Sequence, residues 1–567
     1  MGPAPRILGR FLALLCLLPG LAGALDRQAA VAMPDRHAAN SAEAVLRRGG
    51  NAADAAVAAA FVLAVTYPEA GNIGGGGFVT AWMDGEPAFL DFRERAPAAA
   101  ERDMYLDEGG DFRQRASLVG ARAAGVPGTV DGLWQLYQRY ASLPWSELLA
   151  PAIRLAADGF IVPAGLAAAA AATGSDLGGA TNFEAHFGAL RRGERFRQPA
   201  LAATLERIAA DPRDFYEGET AGLLLAQMAR DDGLISAADL AGYRSAWRRP
   251  VQGDWRDLRI ISAPPPSSGG IALLQLLTMR DARDDLFRGL WHNSASYIHL
   301  LAELEKRVFA DRGRYLGDPD FIDVPVAELL DPGYLQRRAA GVAAEAISPV
   351  AAVPPGLESS DTTHFSILDG DGNAIALTYT LNWSFGNGVV VEGAGFLLNN
   401  EMDDFAAKAG VANAFGVVGS AANAIAGGKR MLSSMTPTLA LRDGRIALVV
   451  GTPGGSTIFT SVFQTLLNLY DFAMPAREAV AATRFHHQLP AARVLRHDQR
   501  PIAADTRRAL EAFGYEVRPN SWGNLGDVQL ITVRDGVIDA AADPRGRGES
   551  RVFALAAPPR EAVPESQ

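Results

Sequence analysis

The sequence predicts an α+β layered fold on three observations. Alanine-rich stretches with helical periodicity run from Ala38 to Val350. Beyond residue 361, turns at Asp369–Asn373, Asp443-Gly444 and Asp535-Gly536 separate alternating segments, the mark of antiparallel hairpins. Helical patterns at Thr457–Tyr470 and Asp505–Phe513 lie between these hairpins. Helices combined with antiparallel sheet form α+β layers rather than a doubly wound parallel sheet.

The elements follow in chain order. Arg6 and Arg10, the apolar run Phe11–Leu21 and the small residues Ala22-Gly23-Ala24 read as a secretory signal. A signal over residues 1–24 implies export, to the periplasm or beyond, with the mature chain starting at Leu25. The only cysteine, Cys16, lies inside that signal, so the mature chain has no thiol chemistry. Asn40 or Ser41 is the expected cap of a first helix ending at Gly49-Gly50, and Asn51 caps a second through Val65. The apolar run Ala55–Val65 is shorter than the roughly 20 residues of a bilayer span and reads as a buried helix. Once the signal is removed, no membrane span is expected. Ala167–Ala172 reads as helix, and Ser294–Tyr315 as a long amphipathic one. From Ala343 to Asp361, Pro349, Pro354 and Pro355 with small and acidic residues make an exposed connector.

Composition narrows the function. The 567 residues carry 53 Lys+Arg against 64 Asp+Glu, a net charge of −11, which argues against nucleic acid as a partner. At 49% hydrophobic and 21% charged the chain is a folded body. It lacks Gly-x-Ser-x-Gly, His-Glu-x-x-His and Walker A motifs; Gly428-Lys429 is followed by Arg430. Gly71-Asn72-Ile73-Gly74-Gly75-Gly76-Gly77 does not have dinucleotide-loop spacing and reads as backbone crossing close to other backbone. No cofactor and no metal are expected, and the adjacent His486 and His487 read as structural.

The segment Asp361–Leu368 carries the most information. A turn centred near Asp371 places Thr362 opposite Thr380 across a hairpin. Taken alone, such a pair is a structural strand pair. A threonine hydroxyl becomes a good nucleophile, however, when the residue is the first of its chain and its own α-amine serves as base. A connector ending at a strand-initial threonine is what self-cleavage requires. Further on, a strand at Ile446–Val450, the turn Gly451-Thr452-Pro453-Gly454-Gly455 and a helix from Ser456 present backbone N–H groups suited to a developing oxyanion.

Asp361-Thr362-Thr363-His364, Thr378–Asn382, Leu398–Phe405, Leu432–Pro437 and Pro453–Ser456 resemble the γ-glutamyltransferases, members of the N-terminal nucleophile hydrolases. Upstream the resemblance continues through Ala70–Phe78, Asp91–Glu94, Pro127–Val130, Pro264–Gly270 and Tyr315–Asp320, in the same order. It implies an αββα sandwich built by two subunits of one precursor, cut between Asp361 and Thr362 into a large subunit, 25–361, and a small subunit, 362–567. It also implies that Thr362 is the nucleophile, Thr380 its positioning partner, and Gly454 and Gly455 the oxyanion donors. Arg93, Ser433 and Ser434 would meet the substrate α-carboxylate, and Asn382, Glu401 and Asp404 its α-ammonium. The implied substrate is a γ-glutamyl amide such as glutathione, with water, an amino acid or a dipeptide as acceptor. A γ-glutamyl head carries one carboxylate and one ammonium, and Arg93 with Glu401 and Asp404 matches that pattern by charge.

His364 lies on the strand face of Thr362 and is expected to pack and hydrogen-bond locally. Glu401 stands where family members often carry Gln, and Phe415 where many bacterial relatives carry a lid tyrosine. A related acylase for glutaryl side chains or poly-γ-glutamate, and a processed but inactive binding protein, are the rival readings.

Overall fold

The computed structural model describes residues 27–349, 362–408, 420–521 and 523–556. The signal segment, Asp361 with the end of the connector, and Phe415 lie outside them.

Two antiparallel sheets stack face to face. One has seven strands in the order Glu549–Ala554, Gln28–Met33, Thr363–Leu368, Ala374–Thr380, Gly76–Met83, Glu86–Asp91 and Ala246–Arg248. The other has six, in the order Val537–Ala542, Gln529–Arg534, Arg445–Gly451, Thr438–Arg442, Leu258–Ser262 and Val251–Trp255. Ala30, Ala32, Ala374 and Ala376 of the first meet Ile261, Leu439, Val449 and Ile531 of the second. Small side chains on one face and branched ones on the other fill the layer between them.

Helices cover both outer faces. Ala52–Thr66 lies on the seven-stranded sheet, all its residues buried, and joins Phe365, Ile367, Ile375 and Leu377 in one core. A helix buried all round needs no polar face, which explains its alanine-rich, unpatterned sequence. Helices Gly269–Ala282, Ala295–Tyr315 and Ile458–Tyr470 pack on the six-stranded sheet in a second core. The result is the expected αββα sandwich.

Most local expectations hold. Asn51 caps Ala52–Thr66 in a reciprocal capping box with Asp54. Ser294 caps Ala295–Tyr315, and all three Asp-Gly hairpins form. Two differ. The first helix runs Arg36–Arg47 and is capped by Asp35, whose carboxylate accepts from the N–H groups of His37 and Ala38, so Asn40 and Ser41 lie inside it. After Pro453-Gly454 a 3₁₀ turn, Gly455–Thr457, precedes the helix Ile458–Tyr470. The glycines of 71–77 cross close to other backbone: a Cβ on Gly75 would sit 2.0 Å from the Thr380 carbonyl oxygen. Among the described residues no helix is long and apolar enough to cross a membrane.

Candidate active site

The site begins at a hairpin. Strand Thr363–Leu368 pairs with Ala374–Thr380 from Leu368–Ala374 to Thr363–Tyr379, the register of a turn centred near Asp371, and continuing it by one rung brings Thr362 opposite Thr380. Phe365 and Ile367 face the helices while Leu368 faces the second sheet. Alternation therefore aims Thr362, His364 and Ser366 into the layer between the sheets. His364 fills that role locally: its Nδ1 is hydrogen-bonded to Thr378 Oγ1 (2.7 Å) and its Nε2 to Ser366 Oγ (3.1 Å). Burial pushes the His364 imidazole down to about 3, so it stays neutral.

Thr362 is nearly buried and lines a cavity of about 220 Å³ with Pro453, Gly454, Ser384, Tyr67 and Glu69. Gly454 has φ +131° and Gly455 φ +56°, and a Cβ on Gly454 would meet Thr457 Oγ1 at 2.5 Å. Only glycine fits there. The Gly454 carbonyl accepts from Thr457 N (3.0 Å) and Oγ1 (2.7 Å). In a planar trans peptide the N–H of Gly455 then points the opposite way.

Thr380 Oγ1 accepts from the N–H of Asn382 (2.8 Å), a residue held at φ +77°. Asn382 Nδ2 donates to the Asn400 carbonyl (3.0 Å), one residue before Glu401. The hairpin end is thus bonded directly to the loop carrying the acidic residues.

That loop meets Arg93. Arg93 is buried, with Nη1 2.7 Å from Glu401 Oε2, Nη2 donating to Asp404 Oδ2 (2.5 Å) and Glu94 Oε2 at 3.5 Å. The Glu401 contact is an ion pair by distance and not an aligned hydrogen bond, since neither Glu401 oxygen has a donor. Burial raises the Glu401 carboxyl well above the usual range against the pull of Arg93. Burial also pushes Glu94 up to about 7. For Arg93, burial works against the charged form, and Glu401, Glu94 and Asp404 outweigh it. The cation and both anions predicted for the site form one cluster.

Ser433 and Ser434 stand on a strap against the 264–270 segment. The Ser433 carbonyl accepts from Ser268 N (2.7 Å) and Oγ (2.8 Å), and Ser434 Oγ lies 3.2 Å from Ser268 Oγ. Arg312, buried in the last turn of Ala295–Tyr315, donates from Nε to Ser268 Oγ (3.0 Å) and feels the charges of Asp404 and Arg93. Sequence reasoning missed Arg312, which is one arginine among several on an amphipathic helix. It also missed Asp527, on the cavity wall with Thr362. His486 is hydrogen-bonded to Thr460 Oγ1 (3.0 Å) and Gln488 Oε1 (2.9 Å), the structural role expected of it.

Thr362 thus stands one residue ahead of a central strand of a two-sheet αββα sandwich, beside a glycine turn. The family model for gamma-glutamyltranspeptidase matches residues 38–553. A glutathione hydrolase proenzyme of Pseudomonas aeruginosa is 59% identical over 521 residues, covering 92% of this chain and 93% of that protein. Among solved structures, gamma-glutamyltranspeptidase from Pseudomonas nitroreducens is 56% identical over 57% of this chain and 97% of its own, with a TM-score of 0.56. A cephalosporin acylase from Bacillus halodurans superposes with a TM-score of 0.81 at 26% identity, covering 92% of this chain and 95% of that one. The chain belongs to the gamma-glutamyltranspeptidase family.

Proposed function

We propose that the chain is an exported, self-processing γ-glutamyltransferase with Thr362 as nucleophile. Residues 1–24 would be removed on export, and the Asp361–Thr362 bond cut to give subunits 25–361 and 362–567. The seven-stranded sheet supports this reading: four of its strands precede the cut and three follow it, so the two pieces remain one body.

The cut frees the Thr362 α-amine, whose ordinary pKa of about 7.7–8.0 suits a base near neutral pH. The amine takes the hydroxyl proton and Oγ attacks the γ-amide carbonyl. The new C–O bond forms, the C–N bond breaks, and the leaving amine takes the proton. Gly454 and Gly455 N–H groups stabilise the oxyanion, and Thr380 positions Thr362. Arg93, with Ser433 and Ser434, receives the substrate α-carboxylate, while Asn382, Glu401 and Asp404 receive its α-ammonium. An arriving ammonium favours the ionised form of Glu401, which burial otherwise opposes. Water, an amino acid or a dipeptide then resolves the ester. These steps use only groups of the chain and its substrates.

The hairpin register carries the reading, because continued by one rung it brings Thr362 to Thr380, which two hydrogen bonds through Asn382 link to the loop that meets Arg93. Its test is direct. The purified protein is expected to run as two bands, with Thr362 as the new N-terminus, and to cleave glutathione and a γ-glutamyl anilide. Thr362→Ala is expected to stay one inactive chain. A stable, fully active single chain would overturn the proposal.

The likeness to the Bacillus halodurans cephalosporin acylase keeps a glutaryl-type acylase as a second reading. Equal turnover of γ-glutamyl and glutaryl anilides would favour it.

A further inference from the structure

The Thr362 cavity has a second wall. None of the residues assigned to the γ-glutamyl head, Arg93, Asn382, Glu401, Asp404, Ser433 or Ser434, lines it. Asp527 does, and it is more than nine-tenths buried. One carboxylate oxygen is held: Oδ1 accepts from Gln529 Nε2 (3.0 Å). The other, Oδ2, has no hydrogen-bond partner. The Asp527 N–H donates to Thr452 Oγ1 (2.8 Å), which donates to the Pro453 carbonyl (2.9 Å), so the carboxylate is tied to the turn that carries Gly454. Glu69 repeats the pattern: one oxygen pairs with Arg547 and the other, Oε2, is buried without a partner.

Buried carboxylate oxygens without donors are costly to keep, and such exceptions call for a ligand or a role. The cation of the wall does not answer them, because Arg545 is committed to Asp498 and Asp543. What fits is a small cation that only donates hydrogen bonds, and an ammonium group is one.

We propose that this wall receives the amine acceptor of the transfer reaction and that Asp527, seconded by Glu69, holds its ammonium beside Thr362. The proposal rests on the γ-glutamyltransferase reading. A bound ammonium passes one proton to Asp527 Oδ2, and the freed lone pair attacks the ester carbonyl. The C–N bond forms as the C–O bond to Thr362 Oγ breaks, and the amine's second proton reaches that oxygen through the Thr362 α-amine. Asp527 later returns its proton to solvent. Burial pushes the Asp527 carboxyl up to about 8, and an arriving ammonium favours its ionised form, the form that can then take the amine's proton.

Gly546 offers an independent handle: a Cβ there would come within 2.1 Å of Asp527 Oδ2, so alanine must displace that oxygen. In mature enzyme with a γ-glutamyl anilide donor and glycylglycine as acceptor, the ratio of transfer to hydrolysis is the readout. Asp527→Asn is expected to lower it at least about tenfold through a higher acceptor KM, the effect of losing a charged hydrogen-bond acceptor. Gly546→Ala is expected to move it the same way and serves if Asp527→Asn does not mature. A wild-type ratio in either mature variant overturns the acceptor site alone. Wild-type enzyme that releases no aniline overturns the γ-glutamyl reading and the acceptor site with it.

Discussion

Thr380→Val tests the site at the link between nucleophile and substrate loop. Valine keeps the shape of threonine and removes its hydroxyl, which accepts from the buried N–H of Asn382 at 2.8 Å and, by register, faces Thr362. Taking away an acceptor from a buried N–H costs about 1–3 kcal/mol of stability, so in a chain of this length a fall of about 1–3 °C in Tm is expected. Losing one positioning contact to the nucleophile is expected to slow turnover about 10²-fold, or about 2.7 kcal/mol of barrier. The assay is steady-state cleavage of a γ-glutamyl anilide by processed enzyme, with Thr380→Ser as the control that restores the hydroxyl. A higher KM with kcat kept would refute the reasoning, because it would mean that Thr380 serves only to hold Asn382. An unchanged kcat and KM would show that the register does not extend to Thr362.

Asp404→Ala is expected to remove the 2.5 Å partner of Arg93 and lower kcat/KM for γ-glutamyl anilides by roughly 10- to 100-fold, the worth of a charged hydrogen bond. Its preference for γ-glutamyl over glutaryl substrates, measured by competition, is expected to narrow, and an unchanged preference would remove Asp404 from the ammonium site. A second expectation concerns acid. His364 and His486 are pushed down to about 3 and His487 to about 4 by burial, so the unfolded chain binds their protons below about 6.5 while the folded chain does not. Stability is therefore complete above that pH and falls as pH drops, by about 1.4 kcal/mol per pH unit for each histidine, until their folded values are reached. Denaturant titrations between pH 7 and 5 on wild type and His486→Gln would check this, since the variant should lose one histidine's share of the slope.

Legibility in the sequence followed the range of the forces involved. Hairpins at Asp369–Asn373, Asp443-Gly444 and Asp535-Gly536 were readable because a short turn determines its own register. The sheet order was not, because Gln28–Met33 inserts between Glu549–Ala554 and Thr363–Leu368, partners hundreds of residues away. Strand Gly76–Met83 was missed although the Asp84-Gly85 turn follows it. It is buried on both faces, which erases the alternation that marks a half-exposed strand.

The same distinction divides the site. Thr362 and Thr380 share one hairpin, and Gly454 and Gly455 one turn, so local chemistry points to them. Arg93 lies 308 residues before Glu401 in the chain, and residue types alone could offer them only as a charge pattern. The fold turns that pattern into one buried cluster, in which the tendency of Glu401 and Glu94 to protonate is set against one guanidinium. A zwitterionic head can replace those contacts without changing the net charge of the pocket. On the proposed roles, a glutaryl head would bring the carboxylate and leave the anions unanswered, so discrimination would belong to Glu401 and Asp404 more than to Arg93. Asp527 marks the limit of sequence reading. Nothing in Leu525-Gly526-Asp527-Val528 sets it apart until packing buries it beside Thr362, one oxygen held and the other waiting for a donor.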